Sequence, residues 1–343
     1  MSGCVSLNFV KTTRLILPEE LGDVFTPAEA GRFGISAGRL DRHPFVRAPF
    51  AGVRVRTGPP DSDERPWEAW KRATLLNARA YARVMPAHAF ISHTTALPVL
   101  GLPRQRWRVG DDPEPVDIEA SVLAPARALR AAHVIAHRLT PALVRITTRE
   151  GIRVADAASV WAMLGSRWTV HELVALGDAI IRVPRVPPQT LERSSPSVGT
   201  LAQLKAAIEA GPRAGVANLR AAFGLIRQGS SSPSETEQRL LMTEAGLPQP
   251  TLDHDVYSEN GTLLGCSEIA YVRLRLAIEC EGDQHRTSRA QWDRDIQKYQ
   301  AYAEAGWTVM RATDRLIYRD RAENVRRIGA LMARAGWRPG QPP

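Results

Sequence analysis

A chain of 343 residues is long enough for two or three domains with separate cores, and 44% hydrophobic with 24% charged residues excludes a disordered chain. No apolar run is long enough to span a bilayer, and the start from Met1 to Leu17 has neither a sustained apolar segment nor a small-residue cleavage pattern, so a cytoplasmic protein is expected. The net charge of +9 rests almost wholly on arginine, the lysines being Lys11, Lys71, Lys205 and Lys298; arginine suits bidentate phosphate contacts, although a GC-rich genome writes the same bias.

Residues 1–60 hold a helix-turn-helix-like pattern. Thr26 and Pro27 start one helix, Gly34 ends it, and Ser36 is placed to cap a second, short one carrying Arg39 and Arg42. A small helical hairpin without a DNA role fits the same residues. Residues 61–182 read as an α/β middle domain: helices over 67–85, 92–101, 155–164 and 170–181, and strands over 116–119, 134–137, 144–147 and 152–154. His93 and His137 stand singly in sequence and are expected to cap or pack. Residues 183–231 comprise a Pro/Ser-rich linker and helices.

From 232 on, the order is a helix (235–245), a strand (251–257), a hairpin, a helix (288–305), a strand (308–311) and a helix (321–335): a mixed sheet flanked by helices, hence an α/β (α+β) multi-domain chain. The hairpin is the chemically pointed part. If it turns at Arg273–Leu274, facing positions sum to about 547 and Glu268 lies opposite Glu279. Alternation puts Glu279 and Glu281 on one face and Leu274, Leu276 and Ile278 on the other. Three carboxylates on one surface repel unless a proton or cation lies between them, and a hard divalent ion such as Mg²⁺ takes oxygen ligands. Glutamates on a solvated strand face are the plain alternative. Cys4, Cys266 and Cys280 lack metal-ligand spacing and are expected as free thiols, with Cys266 set opposite Glu281 by the same register.

Ser232-Pro-Ser-Glu-Thr-Glu-Gln-Arg, Ala-Gly-Leu-Pro-Gln-Pro (245–250), Leu-Ala-Ile-Glu-Cys-Glu-Gly-Asp-Gln-His (276–285), the spaced Trp292, Asp295 and Lys298, and Gly306-Trp-Thr-Val together resemble the PD-(D/E)XK nuclease superfamily, in its branch related to very-short-patch-repair endonucleases. The resemblance covers about a third of the chain and implies a metal-dependent DNA endonuclease using Mg²⁺ or Mn²⁺. It implies Glu268, Glu279 and Glu281 as metal ligands, Glu235 beside them, His285 as general base or water-orienting group, and Arg286, Arg289 and Lys298 as nucleic-acid contacts. Glutamate stands at 268 and 281 where the family has aspartate. The upstream parts, with Ser92-His-Thr-Thr-Ala and Gly151-Ile-Arg-Val, resemble AbiEi-type antitoxin regulators. That resemblance implies the alternative, a non-catalytic DNA-binding regulator with a degenerate nuclease fold; a third reading is a domain whose function depends on a protein partner encoded nearby.

Overall fold

The computed structural model describes residues 15–58, 64–104, 117–186, 194–281 and 289–341, the side chains of 289–293 excepted. It is an α+β chain of several units, with three sheets among the described residues.

The first unit comprises β1 (Val24–Phe25), α1 (Pro27–Gly31), α2 (Ala37–Asp41), β2 (Val46–Arg47) and β3 (Arg54–Arg56), with sheet order β1-β3-β2. Thr26 closes α1 with a reciprocal cap: its hydroxyl accepts from the Glu29 amide at 3.2 Å, and the Glu29 carboxylate accepts from the Thr26 amide at 2.7 Å. Gly34 turns the chain at φ 71°. Ser36 precedes α2 but makes no side-chain cap. Phe25, Ala30, Ile35 and Leu40 form a small core between the short helices and the strands.

The middle unit comprises α3 (Pro66–Ala82), β4 (Ala89–Ile91), α4 (His93–Val99), β5 (Ile118–Leu123), β6 (Val134–Leu139), β7 (Ile146–Arg149), β8 (Ile152–Ala155), α5 (Ala157–Met163) and α6 (Val170–Ile181). Its mixed sheet runs β6-β5-β4-β8-β7. The central strand β4, absent from the sequence expectation, is only three residues long and fully buried. Two further helices, α7 (Leu201–Glu209) and α8 (Val216–Leu225), pack Leu204, Ile208, Leu219 and Ala222 into the same core as Trp161 and Leu173.

The last unit comprises α9 (Pro233–Glu244), β9 (Thr251–Tyr257), β10 (Leu263–Tyr271), β11 (Leu276–Glu281), α10 (Arg289–Glu304), β12 (Thr308–Thr313), α11 (Asp314–Tyr318) and α12 (Arg321–Arg334). The sheet order is β12-β11-β10-β9, antiparallel except for β11 beside β12. One face buries Ile269, Tyr271, Leu276, Ile278, Met310 and Met332 in a core. The other face sets Ala277 and Val256 against Tyr302 of α10. Period-2 alternation in β11 thus gives apolar side chains to both faces and leaves its odd positions, Glu279 and Glu281, on the α10 side.

Between β10 and β11 the chain turns through a short 3₁₀ segment, Val272–Leu274, with Arg275 left-handed at φ 45°. Ile269 pairs with Ile278 and Tyr271 with Leu276, so facing positions keep the sum of 547. Cys266 is a correction: the β10–β11 ladder ends at Ile269 and Ile278, so Cys266 does not face Glu281 and pairs with Asp255 of β9. Cys266 and Cys280 are free thiols.

Helix α9 belongs to two cores, with Leu240 in that of the middle unit and Met242 in that of the last. Its Arg239 forms a buried ion pair with Asp178 of α6 at 2.8 Å.

Candidate functional site

The acidic site forms where the β10–β11 ladder ends. Past the last pair, Ile269 and Ile278, the Glu268 carboxylate accepts the Cys280 amide at 2.6 Å, supplying the acceptor a strand carbonyl would otherwise give. Glu235 arrives from the first turn of α9. Its amide donates to the Ser232 hydroxyl at 3.2 Å, while its carboxylate turns back to accept from the Ser231 amide at 2.6 Å, which holds the side chain buried.

Burial pushes the Glu268 carboxyl well above its ordinary value, and the charges of Glu235 and Glu279 push it further. Burial raises Glu235 as well, against the hydrogen bonds from Ser231 and Ser232. The Cys280 thiol is also driven up, by burial first and then by Glu268, Glu235 and Glu279. The charges of three acids, from α9, β10 and β11, therefore act on one poorly solvated end of the hairpin.

Glu279 is the pivot of this site. Its Oε2 accepts from Lys298 Nζ at 2.8 Å, while its Oε1 is buried without a hydrogen-bond partner. Lys298 and Tyr302 lie one helical turn apart on α10, and the ammonium sits 5.3 Å from the Tyr302 ring centroid. The Tyr302 hydroxyl is likewise buried and unpartnered. Glu281, two residues along β11, accepts from Arg311 Nε at 2.5 Å and from the Tyr299 hydroxyl at 3.2 Å.

Of the residues singled out in the sequence, Glu235, Glu268 and Glu279 lie near enough for the charges of Glu235 and Glu279 to act on Glu268, and Glu281 shares the β11 face of Glu279, engaged by Arg311 and Tyr299. Lys298 lies on Glu279 itself. His285 and Arg286 fall outside the described residues, as does the side chain of Arg289. The donor set suits a hard divalent cation: all ligand atoms are carboxylate oxygens, one of them buried and unpartnered, and two of the acids resist ionising together. These oxygens do not all gather within 4.8 Å of one another.

Among the described residues, one group does gather that closely: His93, Glu119 and His137 of the middle unit. Sequence reasoning treated the two histidines as isolated, because the sheet topology that joins them depends on the short strand β4. Parallel pairing of β5 with β6 sets His137 beside Ser121, two residues from Glu119, and β4 delivers His93 to the start of α4. The imidazole rings lie 3.9 Å apart at 30°. His137 Nε2 is 3.3 Å from Glu119 Oε1, an ion-pair distance, and this buried nitrogen makes no well-formed hydrogen bond. The Thr94 amide donates to Glu119 Oε2 at 2.8 Å, and Arg167 Nη1 donates to Oε1. Burial alone would raise the Glu119 carboxyl, but His137, Thr94 and Arg167 overcome it and hold it at about 2. Burial, then His137, lowers His93 to about 4, so its ring is neutral near pH 7.

No family model matches the chain, and no solved structure matches it. It is similar to uncharacterized proteins from two strains of Mycobacterium tuberculosis, each 31% identical over 81 residues, which is 24% of this chain. The chain spans 30% of the length of these curated relatives. No helix among the described residues is long and apolar enough to cross a membrane.

Proposed function

We propose that the C-terminal unit is a divalent-cation-dependent DNA endonuclease of the PD-(D/E)XK kind, hydrolysing phosphodiester bonds at the end of the β10–β11 ladder. The observation that carries this reading is the state of Glu279: one oxygen held by Lys298, the other buried and unpartnered beside two acids pushed toward protonation. Glu268 and Glu279 would hold Mg²⁺ or Mn²⁺, with Glu235 behind them. Bound there, the ion would supply Lewis acidity toward a phosphoryl oxygen.

The chain's own groups complete the chemistry. Lys298 fixes Glu279 in one orientation, and its ammonium provides positive charge next to the place where a phosphate would gain negative charge. The Glu268 bond to the Cys280 amide keeps that carboxylate aimed across the gap between the strands. Tyr302 and the apolar wall behind it limit water, which strengthens each charge interaction inside. An arginine-rich chain of net charge +9 draws a polyanion toward the site.

A second reading has an observation of its own. The α1–α2 pair with the adjoining β2–β3 strands has the outline of a helix-turn-helix with a wing, and the Glu279–Lys298 pair closes part of the acidic site. On those grounds the chain would be a DNA-binding regulator of the AbiEi type that has lost catalysis.

Incubation of supercoiled plasmid with Mn²⁺, for wild type and Glu279→Ala, separates the two. Nicking by the wild type alone supports the endonuclease. Equal nicking by both, or none by either on plasmid, single-stranded DNA and RNA, removes it and leaves the regulator.

A further inference from the structure

We propose that His93, Glu119 and His137 form a second, separate metal site, built for a first-row divalent ion of borderline softness such as Zn²⁺. This inference is independent of the endonuclease reading. The acidic site offers oxygen alone and suits a hard ion, whereas two imidazoles and one carboxylate are the donors that zinc and its neighbours take.

Geometry carries the inference. The three candidate ligand atoms lie within 4.8 Å of one another. Metal–ligand bonds of about 2.0–2.1 Å at tetrahedral angles put donors roughly 3.4 Å apart, and His137 Nε2 already stands 3.3 Å from Glu119 Oε1. That nitrogen is buried and makes no well-formed hydrogen bond. His93 and Glu119 are themselves buried.

The surroundings are those of oriented ligands. His93 Nδ1 engages the Ser92 hydroxyl at 3.0 Å, and the Ser121 hydroxyl donates to Ser92 Oγ at 2.7 Å, which leaves His93 Nε2 as the open nitrogen. The Thr94 amide pins Glu119 Oε2 at 2.8 Å. His93 holds its ring there from a left-handed backbone, φ 47°, a conformation that non-glycine residues adopt mainly where surrounding structure imposes it. The two imidazole rings lie 3.9 Å apart at 30°, so both histidines reach the same small space beside Glu119.

Arg167 is the apparent obstacle and sharpens the test. Its guanidinium donates to Glu119 Oε1, so a cation already balances the buried carboxylate. The Arg167 side chain is 45% exposed while Glu119 is 5% exposed, so the arginine can leave for solvent when a metal arrives. Arg167 therefore competes with the ion for one oxygen, and removing it strengthens metal binding.

The test uses the full chain, stripped with EDTA, and Zn²⁺ titrated against a chelating indicator, with Co²⁺ as the spectroscopic probe. His137→Gln is the informative ligand variant, since this side chain is 27% exposed and its loss is tolerated better than that of His93. Wild type is expected to bind one Zn²⁺ at this site and to give visible Co²⁺ bands without thiolate charge transfer. His137→Gln weakens binding by about a hundredfold, and Arg167→Ala tightens it by about tenfold. Equal Zn²⁺ binding by wild type and a folded His137→Gln, judged by circular dichroism, overturns the proposal. Weakened binding in Arg167→Ala overturns it as well.

Discussion

Lys298 Nζ stands 2.8 Å from Glu279 Oε2, while Oε1 of the same carboxylate is buried with no partner. The lysine reaches the strand from the facing helix α10, so it contributes charge without occupying a position on β11. If Lys298 orients Glu279 and balances charge on a phosphoryl group, Lys298→Ala should lower the nicking rate by about 10²–10³-fold while Mn²⁺ is still bound. Lys298→Arg should recover part of that loss. Comparing single-turnover nicking with Mn²⁺ binding for the two variants checks this; loss of both together would mean that Lys298 only supports the fold.

Glu268 sets function against stability. Burial and the neighbouring acids raise its folded carboxyl above the unfolded value, so the folded chain retains a proton that the unfolded chain releases. The stability tied to that proton is complete below the unfolded value and is lost as pH rises through the folded one. In EDTA, Glu268→Gln should therefore gain about 1–3 kcal/mol over wild type at alkaline pH and little at acidic pH, while losing nicking. Urea denaturation of both proteins across that range measures it, and parallel curves would contradict it.

His171 links α6 to α9. Its Nδ1 lies 3.0 Å from Glu237 and its Nε2 2.7 Å from Glu244, and Arg321 of α12 contacts both acids. The Glu237 hydrogen bond, helped by both negative charges and opposed by burial, raises the histidine above its ordinary 6.5. The resulting stability is complete below that value and disappears as pH rises through the raised one. Wild type should lose stability as pH rises across this window, and His171→Gln should flatten the slope. An unchanged slope in the variant would remove His171 as its origin.

Asp178 and Arg239 form the buried counterpart of that link. Asp178 accepts from Arg239 Nη2 and from the Thr236 hydroxyl, each at 2.8 Å, and from the Arg227 amide at 2.7 Å. Breaking such a pair strands a buried charge, so Arg239→Leu should cost about 3–5 kcal/mol. Thermal unfolding is the measurement. A change below about 1 kcal/mol would mean that the pair is solvated in solution.

The sequence carried most of the last unit because its elements are long and strictly patterned. Strand β9 and the start of β12 lie where alternation placed them, and Ile269 faces Ile278 as the hairpin register required. Shorter pieces escaped: β4 is a three-residue buried strand and α11 a five-residue helix, too brief for periodicity to register. Glu235, Glu268 and Glu279 were legible as acids on neighbouring elements. The place of Lys298 on Glu279 was not, since it depends on how α10 crosses the sheet, although Lys298 and Tyr302 at helical spacing were a usable sign. His93, Glu119 and His137 were beyond reach from pattern alone, because without β4 nothing brings the start of α4 to the β5–β6 pair.

The most direct test of the acidic centre leaves the nucleic-acid substrate out. Mn²⁺ binding to the full chain, followed by electron paramagnetic resonance, is compared among wild type, Glu279→Ala and His137→Gln. A Mn²⁺ site kept in His137→Gln and lost in Glu279→Ala is the expected result. Equal Mn²⁺ binding by wild type and a folded Glu279→Ala would contradict a divalent-ion site at the end of the β10–β11 ladder.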